Sequence, residues 1–121
     1  MKSLKTSIII VLGLFFANTG FSQKKVVETS IKVDGVCVMC KQRIETALDT
    51  IGVKYAEWDI KTKILKVAYK TDKYTEEDIC KILAAAGHDT EKIKATDEVY
   101  GKIDACCHYR DPEVVGAHNN N

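Results

Sequence analysis

Cys37 and Cys40 stand three residues apart in the stretch Gly35-Val36-Cys37-Val38-Met39-Cys40-Lys41. If a helix starts there, one sulfur lies in the loop and the other in the first turn, and both aim at one point. The unpaired amides of a helix N-terminus favour thiolate at that point, where thiol pKa values fall from about 8.5 to roughly 3.5–7.5. Two thiolates suit a soft ion that accepts low coordination. Cu(I) fits first, with Hg(II), Cd(II) or Zn(II) as further candidates, although zinc usually takes four ligands. The same spacing also serves thiol–disulfide exchange or a plain disulfide. Against the redox reading, the chain lacks an aromatic before the first cysteine and a Gly-Pro insert between the two.

A second group, Cys106-Cys107-His108-Tyr109-Arg110, lies near the C-terminus. Adjacent cysteines seldom pair with each other, and a Cys-Cys-His run has the composition of a metal site; a disulfide tether or exposed thiols are the other readings. Thr96-Asp97-Glu98-Val99 has the pattern of a capped short helix that would carry this group back towards Cys37 and Cys40. His88, directly after Gly87, is either a third ligand or a polar loop residue beside the site, imidazole being a competent partner for copper and zinc. Cys80 lies between Ile79 and Ile82 and reads as a small buried hydrophobe. Lys41 reads as an exposed helix residue rather than a counter-charge, and Met39 is not taken as a ligand. The total of five cysteines is odd, so at least one is free, bound to metal or paired to another chain.

The elements that must position these groups follow from hydrophobic periodicity. Val27, Thr29, Ile31 and Val33 alternate with polar residues and predict a strand over 26–33. Ile44, Ala47, Leu48 and Ile51 share one face of a helix over 39–51, closed by Gly52. Residues 53–60 and 63–70 alternate again and form a hairpin about Lys61-Thr62. Thr75, with Asp78 three residues on and an acidic first turn, caps a helix over 76–86 that Gly87 stops. A short fourth strand is expected over 90–95. The order β-α-β-β-α-β is the ferredoxin-like, split βαβ arrangement of the α+β class, with two helices on one face of a four-stranded antiparallel sheet.

Lys2 and Lys5 precede the apolar run Ile8–Ala17, and Gly20 and Ser22 precede Gln23, which is the layout of a secretory signal peptide over residues 1–22. The apolar run is shorter than the roughly 20 residues of a spanning helix. The expected organisation is therefore a leader (1–22), a folded domain (23–95) and a C-terminal extension (96–121) ending in a frayed tail. Export to the periplasm or outside the cell follows. Removing the leader leaves 16 basic residues against 17 acidic ones, a net charge of −1, which gives no electrostatic case for nucleic acid. No Ser-His-Asp order, paired-acid motif or glycine-rich phosphate loop is present, so nothing in the sequence calls for an enzyme.

Over residues 25–95 the sequence resembles the heavy-metal-associated domain family, which includes copper chaperones, modules of copper-exporting ATPases and periplasmic mercury-binding proteins. Gly35, Cys37, Cys40, Ile44, Leu48 and Gly52-Val53 carry the resemblance. The loop departs from the family pattern: only Val36 separates Gly35 from Cys37, where a methionine plus one more residue is usual. The resemblance implies binding and relay of a soft metal by ligand exchange, with Cys37 as first exchanger. It also implies a metal-transporting membrane protein or another metallochaperone as partner. A thiol–disulfide oxidoreductase, or an interaction module using the open sheet face, are the alternatives.

Overall fold

The structure is a computed structural model and describes residues 25–120; the expected leader lies outside them. The elements in chain order are β1 (Val26–Lys32), α1 (Val38–Ala47), β2 (Val53–Trp58), β3 (Ile64–Lys70), α2 (Glu76–Ala85), α3 (Asp97–Gly101), a 3-10 turn (Ala105–Cys107) and α4 (Pro112–Asn119). The strands form one antiparallel sheet in the order β1-β3-β2. Ile31 pairs with Leu65, and Trp58 pairs with the same residue from the other side. Ile31, Leu65 and Val67 pack with Ile44 and Leu48 of α1 and Ile79 and Leu83 of α2 in one core. The predicted ferredoxin-like architecture is present.

Three elements differ from expectation. Among the described residues the sheet has three strands, and the fourth is reduced to a single antiparallel bridge between Val33 and Thr90. Asp89 and Thr90 divert the backbone that a strand over 90–95 would have used. Thr90 N–H donates to Ile93 O, closing a turn, and Ala95 N–H donates to the Asp89 carboxylate. Helix α1 ends at Ala47 rather than near residue 51, because Leu48 anchors in the core and the following amides, Asp49 and Thr50, fold back onto Thr46 and Leu48 carbonyls. Ile51 therefore leaves the apolar stripe and is 79% exposed.

The C-terminal tail is the third difference. It is not frayed: Asp111 caps α4 through Glu113 N–H, Pro112 starts the helix, and Val114 and Val115 rest against the core. Its anchor is the segment before α4. Arg110 gripping Asp89 holds it, with Nε to Oδ2 at 3.0 Å and Nη2 to Oδ1 at 2.8 Å, and Nη2 also donates to Ala95 O at 2.7 Å. The guanidinium lies 4.2 Å from the Tyr100 ring centre. The Tyr109 hydroxyl donates to Gly87 O and accepts from Asp89 N–H.

Burial alone would raise the Asp89 pKa, but the Arg110 guanidinium and the Ala95 amide hold it below the usual carboxylate value. Asp89 is buried while Arg110 is only partly covered, so Arg110→Ala is expected to cost about 3 kcal/mol, towards the lower end for a broken buried pair. The lowered Asp89 pKa means that the pair stabilises the fold fully above about pH 4 and loses that contribution as pH falls through the folded value. Urea denaturation of wild type and Arg110→Ala between pH 7 and 3 checks both, the gap closing at the acid end.

Candidate metal centre

The loop between β1 and α1 is drawn tightly over Trp58. That indole is fully buried, and its Nε1–H donates to Val33 O at 3.0 Å. A Cβ on Gly35 would stand 2.9 Å from the Trp58 ring and 3.1 Å from Cys40 Cβ, so only glycine lets the chain pass there. Val36 turns into the core, so the shortened loop still sends an apolar side chain beneath the site. Cys37 then serves as the N-cap residue of α1, with extended backbone angles, and Cys40 lies in the first turn. Lys41 faces away from the sulfurs, donating to Trp58 O and pairing with Glu45.

The third sulfur comes from the tail. Thr96 caps α3 by accepting from Val99 N–H, Cys107 N–H donates to Asp104 O in the 3-10 turn, and Cys107 is delivered, fully buried, beside the loop. Cys37 Sγ lies 3.4 Å from Cys40 Sγ and 3.1 Å from Cys107 Sγ, and all three sulfurs are within 4.8 Å of one another. All three thiols are free. A metal about 2.3 Å from each of three thiolates spaces the sulfurs about 4 Å apart, and a linear two-thiolate ion spaces them about 4.6 Å. The trio needs to open by less than 1 Å for the first arrangement, and the Cys37–Cys40 pair by more than 1 Å for the second. The donor set fits a soft ion in three-coordination.

Charge within the trio is unevenly shared. Burial would raise the Cys37 thiol, yet hydrogen bonds from Cys107, from the Cys40 amide and thiol and from the Met39 amide outweigh it and lower the pKa. Cys40 is pushed up, mainly by burial. Cys107 is pushed up to about 12 by burial and by its donation to Cys40 and Cys37, against the pull of Arg43. Of the three thiols, Cys37 is therefore the one whose surroundings favour ionisation, and Cys40 and Cys107 are the ones whose surroundings oppose it. Arg43, three residues after Cys40, places its guanidinium against Cys107, and its Nη2 pairs with Asp104 at 2.7 Å. Sequence reasoning missed Arg43; its i, i+3 spacing from Cys40 puts both on one helix face and was the available signal.

His88 lies outside the three-sulfur group. Gly87, with φ of +100°, ends α2 in a Schellman motif, Gly87 N–H to Ala84 O and His88 N–H to Leu83 O, and so turns His88 inward. The ring is fully buried: Nδ1–H donates to Asp34 O at 2.8 Å, Nε2 faces Arg43 Nη1 at 3.5 Å, and Tyr109 stacks on it. It meets Arg43 at Nη1, while Asp104 takes Nη2. Cys106 is exposed, 4.0 Å from Cys107 Sγ and 3.4 Å from Met39 Sδ. His108 turns away to Ile103 O and the Tyr100 ring. Cys80 is buried among the core residues, as its neighbours predicted.

Desolvation, aided by Arg43, lowers the His88 pKa below 6.5, against the pull of the Asp34 carbonyl. The unfolded chain then takes up a proton that the folded chain refuses, so stability falls as pH drops from about 6.5 towards the folded value. His88→Gln should flatten this part of the pH–stability profile in thermal melts, and the number of metal ions bound should not change. Gly35→Ala is expected to cost about 1–3 kcal/mol through the clash with Trp58 and to weaken metal binding by displacing Cys40. Melting curves and a metal titration of that variant check the two effects together.

No protein-family model matches the sequence, and no curated protein does. Solved structures match. The chain is similar to the CopZ metallochaperone at 24% identity and a TM-score of 0.50, over 53% of this chain and 98% of that one. It is similar to a proposed copper-ion-binding protein from Bacillus anthracis str. Ames at 20% identity and a TM-score of 0.53, over 56% and 99%. It is also similar to oxidized MerP from Ralstonia metallidurans CH34 at 20% identity and a TM-score of 0.52, over 55% and 96%. Each match takes in nearly all of the other protein and about half of this chain. The chain therefore has the ferredoxin-like fold that its resemblance to the heavy-metal-associated family implied.

Proposed function

We propose that this chain is an exported soft-metal-binding protein that carries Cu(I) between Cys37, Cys40 and Cys107 and passes it on by thiolate ligand exchange. One observation supports the reading above the others: three free sulfurs from two distant parts of the chain meet within 4.8 Å. Thiolate donors in three-coordination favour a soft ion over the hard cations that oxygen ligands hold. Three thiolates about a monovalent ion leave a charge of −2, and Arg43 against Cys107 offsets part of it. Hg(II), which would leave −1, is the second choice. The likeness to a protein described as a metallochaperone agrees with carriage rather than catalysis. The partner would be a metal-transporting membrane protein or another metallochaperone, met in the periplasm or outside the cell if the leader directs export.

The oxidoreductase reading is weaker on physical grounds. A cysteine that attacks a disulfide must be both thiolate and accessible. Cys37 has the lowered pKa, but it is only 8% exposed and lies directly against Cys107. The burial also removes Cys37 from the role of first exchanger.

Anaerobic titration of the reduced chain with Cu(I) against bicinchoninate should show one tightly bound ion. Cys37→Ser/Cys40→Ser should abolish it, and Cys107→Ser should weaken it about tenfold or more, 1.4 kcal/mol per decade. Binding must displace protons from Cys40 and Cys107, so apparent affinity should rise with pH. A wild type that cannot compete with the chelator would refute the copper reading, and an unaltered Cys107→Ser would refute the three-sulfur site.

A further inference from the structure

The three sulfurs of the candidate metal centre are all buried, with only Cys37 reaching 8% exposure, so an ion arriving on another molecule's thiol meets little sulfur surface there. The next residue along the chain is placed differently. Cys106 and Cys107 share the 3-10 turn Ala105–Cys107, whose three-residue repeat sends neighbouring side chains to different sides. Cys107 turns into the core and Cys106 into solvent. Across from Cys106 stands Met39, in the first turn of α1 and 43% exposed. The Cys106 thiol meets its sulfur at 3.4 Å. An exposed thiol facing an exposed thioether is a soft donor pair at the rim of the site.

We propose that Cys106 and Met39 form a surface landing site that takes the soft metal ion from a donor and hands it to the buried trio through Cys107. The inference rests on the metal-binding function proposed above. The Cys106 and Cys107 sulfurs are 4.0 Å apart, which is about the separation of two sulfurs bound to one ion at about 2.3 Å each. The ion can therefore be shared between them without moving the backbone. In the first step Cys106 sulfur bonds to the ion, the donor's sulfur–metal bond breaks, and the Cys106 proton leaves with the donor thiol. In the second, Cys107 sulfur bonds to the ion, the Cys106–metal and Met39–metal bonds break, the Cys107 proton passes to Cys106, and the remaining thiol protons of the trio leave to solvent as Cys37 and Cys40 complete the coordination. Metal and sulfur keep their oxidation states throughout. Met39 supplies a neutral second donor while the ion is held at the rim, so the ion never depends on one bond. Release to an acceptor follows the same path in reverse.

Stopped-flow mixing of the reduced full chain with the Cu(I)–bicinchoninate complex tests this, with loss of colour giving the loading rate and the end point giving the affinity. Cys106→Ser is expected to slow loading by about tenfold or more while reaching the wild-type end point, and Met39→Leu to slow it less. Loading of Cys106→Ser at the wild-type rate would overturn the landing site. So would an end point as low as that of Cys107→Ser, which would make Cys106 a ligand of the final site. A wild-type chain that takes no copper from the complex is a separate outcome: it refutes the copper-carrying function itself, and the landing site with it.

Discussion

The ion pair between Asp89 and Arg110 is the contact on which the site depends. A carboxylate buried in the loop after α2 costs several kcal/mol unless it is paired and hydrogen-bonded, and here Arg110 and the Ala95 amide meet both of its oxygens. The arrangement has two consequences. Asp89 draws residues 90–95 into a compact loop in place of a full fourth strand, leaving only the Val33–Thr90 bridge. The same pair bolts the segment 103–110 to the end of α2, and that segment carries Cys107. Tyr109 reinforces the bolt by capping Gly87 O and stacking on His88. A surface ion pair of this kind would contribute little; burial of the acid is what gives it leverage.

With the tail held, the problem at the site becomes electrostatic. Three buried thiolates would repel one another, and the surroundings favour ionisation of Cys37 while opposing that of Cys40 and Cys107. Arg43 brings a positive charge to the trio, with Asp104 and His88 as its other partners. A bound metal ion would exchange for protons with sulfur shifts of less than about 1 Å, a preorganised arrangement in which little ordering would remain to be done on binding. The same burial leaves little thiol surface open to solvent.

The loop itself shows how little room the arrangement has. Gly35 crosses the Trp58 ring at a distance that no Cβ allows without a shift, and Val36 enters the core. Trp58 is in turn fixed by its own hydrogen bond to Val33 O, while its amide donates to Glu45 of α1. Strand, loop and helix are locked to one indole. The positions of Cys37 and Cys40 thus follow from core packing rather than from loop chemistry.

Much of this was legible in the residues alone. The two-residue alternation of Val27 to Val33, the capping box at Thr75 and Asp78, and the stop at Gly87 each depend on neighbours in the chain, and local backbone physics decides them. The placement of Cys37 at a helix N-terminus and Cys40 in its first turn followed from the same rules. Periodicity over-extended α1 to Ile51, because a repeat reports only that a face could be buried, not that a partner is there to bury it. Spacing could not say whether His88 or Cys107 completes the site, since the answer lies in contacts spanning up to 70 residues. The sequence by itself determined the three strands and two main helices of the domain, their order and the cysteine pair at the loop. The return of the tail was one reading of its capped Thr96 helix; only the tertiary structure decided that Asp89 and Arg110 hold it there and that the third sulfur is Cys107. Those outcomes rest on burial and on pairing between distant segments, for which no pattern along the chain is a substitute.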